Sequence, residues 1–132
     1  MSQIKRVYVA GALTPRGRWS KNPAIDYIIN CREMVKWGAK VLLAGFDPFV
    51  PALDWQLWWG LEEGQYITEP MIKRYSKSWL EVCDAMLLTP GWVQSTGTIA
   101  EKEFAEKRGI PVFDSLDKLI KVAKESNSGQ GV

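Results

Sequence analysis

Short apolar runs alternate along this chain with longer segments of helical periodicity, and this alternation limits the folds available to it. Strands are predicted at residues 4–10, 40–44, 85–88 and 111–113. Helices are predicted at residues 23–37, 68–82, 96–108 and 115–124. Such alternation is typical of parallel sheets that helices cover on both faces. The sequence therefore predicts an α/β, flavodoxin-like (Rossmann-like) three-layer sandwich with a parallel sheet of four to five strands in the order 2-1-3-4(-5).

The length and composition indicate one domain. The chain has 132 residues, of which 46% are hydrophobic and 24% are charged, which suits a single buried core. We expect one domain over residues 1–125 and a polar, disordered tail over residues 126–132. Residues 46–66 are predicted to be a loop with a short helix, and the last helix is predicted to be capped by Asp114 or Ser115.

The charge pattern and the apolar pattern exclude two classes of partner. The formal net charge is +2 and no run of basic residues exceeds two, so we expect no nucleic acid partner. No stretch approaches the length of about 20 apolar residues that a membrane span requires, so we expect no membrane partner. Cys31 and Cys83 lie in apolar helical surroundings without metal-ligand spacing, which indicates free thiols and a cytoplasmic location.

The sequence contains no histidine, and this restricts the chemistry that the domain can perform. Nucleophiles activated by histidine, histidine metal sites and the usual proton shuttle near neutral pH are all excluded. We expect no metal and no cofactor. Any reaction must therefore use carboxylates, hydroxyls, backbone amides or basic side chains.

The candidate site residues are predicted to share one edge of the sheet. Ligands of parallel α/β sheets bind beyond the carboxyl ends of the strands, where the winding direction changes, here between strands one and three. Residues 11–19, Asp47 and residues 91–101 are placed at that edge. Asp84 precedes the third strand and is assigned a structural role at the opposite edge.

Residues 91–101 combine a turn of small residues with the start of a helix. Ser95, Gly97 and Thr98 offer hydroxyls and amides to an anion such as phosphate. Helical side chains lean toward the N-terminus, so Glu101 is predicted to project over Gly97 into the crevice, where a carboxylate could attack an anomeric carbon. The spacing from Thr98 to Glu101 also fits a capping box. Because caps are commoner than nucleophiles, the pattern by itself favours the cap.

Two motifs resemble those of a known family. The segment Val7-Tyr-Val-Ala-Gly-Ala-Leu-Thr-Pro-Arg-Gly17 resembles the first-strand motif of the nucleoside 2-deoxyribosyltransferase-like superfamily, which includes deoxynucleoside 5′-monophosphate N-hydrolases. The segment Ser95-x-Gly97-x-x-x-Glu101 resembles the second motif of that superfamily. The order of elements agrees over most of residues 4–113.

The resemblance implies cleavage of the N-glycosidic bond of a nucleoside or nucleotide. It implies that Glu101 is the nucleophile, that Tyr8 and Gly11 line the pocket, and that Ser95 contacts a phosphate. It also implies a homodimer or larger homo-oligomer. Because the transferases tend to have an acidic residue where Ser95 stands, hydrolysis is favoured over base transfer.

One carboxylate of the family pattern is missing. Family members usually carry an aspartate before the third strand, whereas residues 74–78 read Arg-Tyr-Ser-Lys-Ser. Asp47 is the candidate substitute as the second catalytic acid, although Asp-Pro is also a common turn element.

Basic and aromatic residues supply the remaining candidates. Arg16, with Arg18 and Lys21, is a candidate phosphate contact or an ordinary solvated loop residue. Trp92 lies in the turn and is predicted to stack on a base. The cluster of Trp55, Trp58 and Trp59 is predicted to pack in the core or at a subunit contact.

Three functions are compatible with these observations. The first is an N-glycosidase or deoxyribosyltransferase that uses Glu101. The second is a nucleotide-binding module of the same fold without catalysis. The third is an assembly subunit whose tryptophan cluster is the functional surface.

Overall fold

The computed structural model describes residues 3–130 and has the predicted architecture. Its sheet is parallel, has the order β2-β1-β3-β4, and consists of β1 (Arg6–Ala10), β2 (Asp47–Phe49), β3 (Ala85–Leu88) and β4 (Val112–Phe113). The α-helices are α1 (Pro23–Leu43), α2 (Glu69–Glu81), α3 (Thr96–Lys107) and α4 (Leu116–Gln130). Two 3-10 helices, Pro51–Gly60 and Trp92–Gln94, complete the regular structure of the described residues.

Successive residues of β1 face opposite sides of the sheet. Val7 and Val9 pack in one core with side chains of α1 and α4, whereas Tyr8 and Ala10 pack in another with side chains of α2 and α3. These four strand residues are at most 1% exposed, as expected of a central strand that is covered on both faces. The flavodoxin-like sandwich is thereby confirmed, and Tyr8 faces the helix that carries Glu101.

The prediction of a second strand at residues 40–44 is wrong, because these residues form the last turn of α1 and its C-cap. A short apolar run suits a buried strand and a buried helix equally well. Gly38, which directly follows the predicted helix of residues 23–37, lies inside α1. A Cβ atom at Gly38 would lie 2.5 Å from Cγ2 of Val50, so glycine allows α1 to approach the segment after β2. The helix ends before Gly45, whose φ of +100° suits glycine.

This shift of the second strand moves Asp47 to the other edge of the sheet. Asp47 begins β2 and pairs with Arg6 at the start of β1, so its predicted position at the carboxyl edge is wrong. Asp84 lies at the same amino edge, where its carboxylate accepts hydrogen bonds from the amides of Lys5 and Arg6, both at 2.9 Å. The structural role predicted for Asp84 is confirmed.

The C-terminal helix is longer than predicted. Of the two predicted caps, Ser115 is the one whose hydroxyl accepts a hydrogen bond from the amide of Lys118, at 3.4 Å. The helix continues to Gln130, where the sequence predicts a disordered tail from residue 126. Residues 131 and 132 of that tail lie outside the described part of the chain. No helix within residues 3–130 has both the length and the apolar character needed to cross a bilayer.

Candidate functional site

The start of α3 is fastened to β1 by a chain of hydroxyl groups. Ser95 is the N-cap, and its Oγ accepts a hydrogen bond from the amide of Thr98 at 3.1 Å. Thr98 is 1% exposed, and its hydroxyl donates to the carbonyl oxygen of Gly11 at 3.0 Å. The two hydroxyl oxygens lie 2.9 Å apart. The hydroxyl groups of Ser95 and Thr98, which are predicted to contact a ligand, therefore hold the start of α3 against the end of β1.

Glu101 reaches across to β1 and does not cap its own helix. Because α3 begins at Thr96 with Ser95 as its cap, Glu101 lies beyond the first turn, and the capping-box interpretation is wrong. Its Oε2 accepts a hydrogen bond from the hydroxyl of Tyr8. The structure thus pairs two residues that the sequence motifs name separately.

The surroundings of this pair oppose its ionisation. Burial raises the pKa of Glu101, the nearby charge of Asp54 raises it further, and the hydrogen bond from Tyr8 and the charge of Lys77 lower it. Burial and the charge of Glu101 raise the pKa of Tyr8. Tyr8 therefore stays protonated and is the donor of the hydrogen bond to Glu101. This hydrogen bond favours the ionised form of Glu101.

Asp54, which the sequence analysis does not single out, is a second carboxyl group whose charge acts on this pair. It lies half-buried on the 3-10 helix Pro51–Gly60, and burial raises its pKa. Its charge acts on Glu101, Tyr8 and Tyr27. The only sequence signal for it is an acidic residue within a strongly apolar segment, and that signal does not give its position in space.

Stacked aromatic rings pack against Tyr8. The ring of Tyr8 stacks on Phe49 with centroids 5.5 Å apart, and Phe49 stacks on Trp79 at 5.7 Å. The parallel register pairs Tyr8 with Phe49 directly. Such contacts limit the movement of the Tyr8 hydroxyl.

The two predicted glycines of the site have different roles. A Cβ atom at Gly11 would lie 2.0 Å from Oγ1 of Thr89, whose hydroxyl donates to the carbonyl of Ala10 at 2.9 Å. Gly11 is therefore required for packing between β1 and β3. A Cβ atom at Gly97 would meet only Oγ of Ser95, at 4.0 Å, and within the described residues the Gly97 amide has no acceptor. Of the two, Gly97 is the one that is open to a ligand.

The remaining candidates border the turn between β3 and α3. Arg18 donates from Nη1 to the carbonyl oxygen of Pro90 at 3.0 Å, and Arg16 is exposed in the same loop. Trp92 is half-buried against the core that contains Tyr8, and Nζ of Lys102 lies 5.9 Å from its ring. Trp55 and Trp59 make an edge-to-face contact at 4.9 Å. Both cysteines are free thiols, as predicted.

Two cavities of the described residues lie apart from the Tyr8–Glu101 pair. A cavity of about 380 Å³ opens at the amino edge and is lined by residues that include Lys5, Asp47 and Lys124. A small pocket of about 40 Å³ at the carboxyl edge is lined by residues that include Arg18, Asn30 and Thr89. The first does not adjoin Glu101, so it is not the crevice predicted for substrate.

Fold and site together define a parallel α/β domain with a tyrosine–glutamate pair between the central strand and α3. The chain belongs to the DUF4406 family, a family of domains of unknown function, whose profile matches residues 5–114. No curated protein matches the chain. No solved structure matches it either.

Proposed function

We propose that this domain hydrolyses the N-glycosidic bond of a (deoxy)nucleoside or nucleoside 5′-monophosphate, with Glu101 as the nucleophile. The observation that carries the proposal is the hydrogen bond from Tyr8 to Glu101. Through this bond the half-buried carboxylate of Glu101 faces the sheet and does not cap its own helix. The resemblance of residues 7–17 and 95–101 to the nucleoside 2-deoxyribosyltransferase-like superfamily supports the same reaction.

The reaction proceeds in two displacements. In the first, an oxygen of Glu101 bonds to the anomeric carbon while the bond from that carbon to the base breaks, and the base leaves with the electron pair. In the second, water attacks the anomeric carbon, the sugar is released, and the Glu101 carboxylate is restored. Tyr8 donates a hydrogen bond to Glu101 and holds it in one orientation.

We assign to Asp54 the role of second catalytic acid, for which Asp47 is the candidate in the sequence. Asp47 lies at the amino edge, whereas Asp54 is near enough to affect the pKa of Glu101. Because burial raises the pKa of Asp54, it can hold a proton and give it to the departing base. The proton released by the attacking water then returns to Asp54, which closes the cycle.

The test is release of free base from the common deoxynucleoside 5′-monophosphates. Glu101→Gln keeps the shape of the side chain and its ability to accept from Tyr8, but removes the nucleophile, so base release should cease. Glu103→Gln is the matched control, because Glu103 is an exposed glutamate of the same helix. Base release by wild type that survives in Glu101→Gln would refute this role of Glu101.

A nucleotide-binding module without catalysis is the second candidate. The absence of an aspartate in residues 74–78 and the raised pKa of Glu101 favour it. It predicts that wild type binds a deoxynucleotide, as a shift in melting temperature, and releases no base from any of the panel.

We propose further that the domain acts as a homodimer or larger homo-oligomer in the cytoplasm. Its free thiols suit a reducing compartment. Trp58 is 41% exposed and Trp59 is 72% exposed, and exposed tryptophans are typical of subunit contacts. Sedimentation of wild type and Trp59→Ser tests this: an unchanged mass would exclude Trp59 from a contact.

A further inference from the structure

The larger cavity opens at the amino edge of the sheet, at the end of the domain opposite to Glu101. Its volume is about 380 Å³, within the range of about 300–1,000 Å³ that is usual for pockets that hold small molecules. It is lined by residues 3–5, by residues 44–47 and by one side of α4, which contributes Ile120, Ala123 and Lys124. This amino-edge cavity is therefore separate from the site described above.

Small residues leave this space open. Gly45 reverses the chain after α1 with a φ of +100°, and a Cβ atom there would meet nothing within 4 Å. Ala123 lies one helical turn after Leu119 on the face of α4 that packs against the core. Leu119 is 0% exposed, whereas the short side chain of Ala123 leaves the adjoining volume unfilled. The cavity thus follows from the choice of residues at two places in the chain.

The floor of the amino-edge cavity is apolar. Phe46 and Ala123 are buried members of the core. Ile4 and Ile120 are partly buried and pack against the same core. A ligand with an apolar body would remove this surface from water, which favours its binding.

The rim of the cavity is charged. Lys5, Asp47 and Lys124 line the cavity and are exposed. Among residues 3–130, none of the three forms an ion pair. Two ammonium groups and one carboxylate leave the rim with an excess of positive charge. Such a rim favours an anionic group on the ligand.

Hydrogen bonds of the main chain fix the position of Lys5. Its amide donates to the carboxylate of Asp84 at 2.9 Å, and its carbonyl oxygen accepts from the amide of Asp47 at 2.8 Å. Lys5 precedes Val7 by two residues, so its side chain leaves the face of the sheet that α1 and α4 cover. The stem of Lys5 is thereby directed over the apolar floor while its ammonium group stays in water.

We propose that the amino-edge cavity binds a small organic carboxylate with an apolar body, whose carboxylate is held by Lys5 and Lys124 and whose body lies on Phe46 and Ala123. The site is independent of the proposed reaction, because it lies at the opposite edge of the sheet from Glu101. It gives the domain a second ligand site.

Titration calorimetry with octanoate and with octanamide measures the affinity of this site. The two probes have the same apolar chain, and only octanoate is charged. Wild type should bind octanoate about tenfold more tightly than octanamide. Lys5→Gln and Lys124→Gln should each weaken octanoate binding by about fivefold, the upper end for an exposed ion pair. Lys121→Gln is the matched control, because Lys121 is an exposed lysine of α4 outside the cavity.

Two further variants test the floor and the sign of the charge effect. Ala123→Leu places a larger side chain in the cavity and should weaken the binding of both probes by more than tenfold. Asp47→Asn removes a negative charge from the rim, so it should strengthen octanoate binding by about twofold and leave octanamide binding unchanged. If Ala123→Leu does not fold, the lysine variants and Asp47→Asn carry the test.

Four results would overturn this site. They are the absence of octanoate binding by wild type, equal affinities for octanoate and octanamide, equal losses in Lys121→Gln and Lys124→Gln, and unchanged binding in folded Ala123→Leu. Octanoate binding should also be the same in wild type and Glu101→Gln. A loss in Glu101→Gln would place the probe at the other edge of the sheet and overturn the site as well.

Discussion

Asp26 is buried and Glu101 is half-buried, on opposite faces of the same sheet, and the surroundings of the two carboxylates differ. Asp26 accepts hydrogen bonds from four backbone amides, of which the amide of Trp19 has the largest effect. These hydrogen bonds hold the pKa of Asp26 below the ordinary value. Glu101 has one donor, the hydroxyl of Tyr8, and burial raises its pKa. The number of amide donors thus separates a carboxylate whose pKa is lowered from one whose pKa is raised.

Substitution of the two carboxylates by their amides should give opposite results, and this is the largest effect we expect. Glu101→Gln should lower the rate of base release by about a thousandfold or more, the scale seen when a nucleophile is removed. Its melting temperature at pH 7 should not fall, because a half-buried charge is removed and Tyr8 keeps an acceptor. Asp26→Asn should lower the melting temperature, because an amide nitrogen would face backbone N–H groups. Calorimetry and an assay of free base measure the two properties.

The comparison fails if the two variants behave alike. A loss of melting temperature in Glu101→Gln as large as that in Asp26→Asn would give Glu101 a structural role. Glu103→Gln, at an exposed position of α3, should change neither property.

The loss expected for Asp54→Asn is smaller, about a hundredfold in kcat, the scale of general acid catalysis. The loss should shrink for a nucleotide of 7-methylguanine, because that base leaves without needing a proton. Rates of base release from both substrates measure the difference. An equal loss on both substrates would mean that Asp54 does not protonate the base.

The order of the elements could be predicted from the sequence, because it depends on local patterns of apolar residues. The bounds that the sequence predicts for β3 agree with the observed ones, because its apolar run stands between Asp84 and a proline turn. β2 was misplaced because the apolar end of α1 resembles a strand, and because Gly38 has its reason in a contact with Val50 that the sequence does not reveal.

The partners of the site could not be predicted, because tertiary structure brings them together. Tyr8 and Glu101 are separated by most of the domain, and only the strand register and the start of α3 give their contact. Asp54 lies on a 3-10 helix that has no clear periodicity, so its electrostatic effect on Glu101 has no sequence signal. Asp26 looks like an ordinary first-turn acid of α1, and its four loop amides have no sequence signature.

Tyr8→Phe should lower kcat by about tenfold, which corresponds to one charge-assisted hydrogen bond. Because the hydrogen bond from Tyr8 lowers the pKa of Glu101, its loss should also move the acidic limb of the pH–rate profile to higher pH. Profiles of wild type and variant measure the shift. A fall in rate without a shift would mean that Tyr8 does not control the ionisation of Glu101.

The smallest effect concerns the pH dependence of stability that Glu101 confers. Its pKa in the folded protein is raised above the ordinary value of 4.5, so between those two values the folded state holds a proton that the unfolded chain has lost. Stability therefore falls as pH rises through that window, by about 1.4 kcal/mol for each unit of difference in pKa. Glu101→Gln cannot titrate, so the free energy of unfolding of this variant minus that of wild type should be larger at pH 7 than at pH 4, which means that the variant gains in relative stability. Urea unfolding at the two pH values measures this quantity, and an equal difference at both would place the Glu101 carboxylate in water and end its contrast with Asp26.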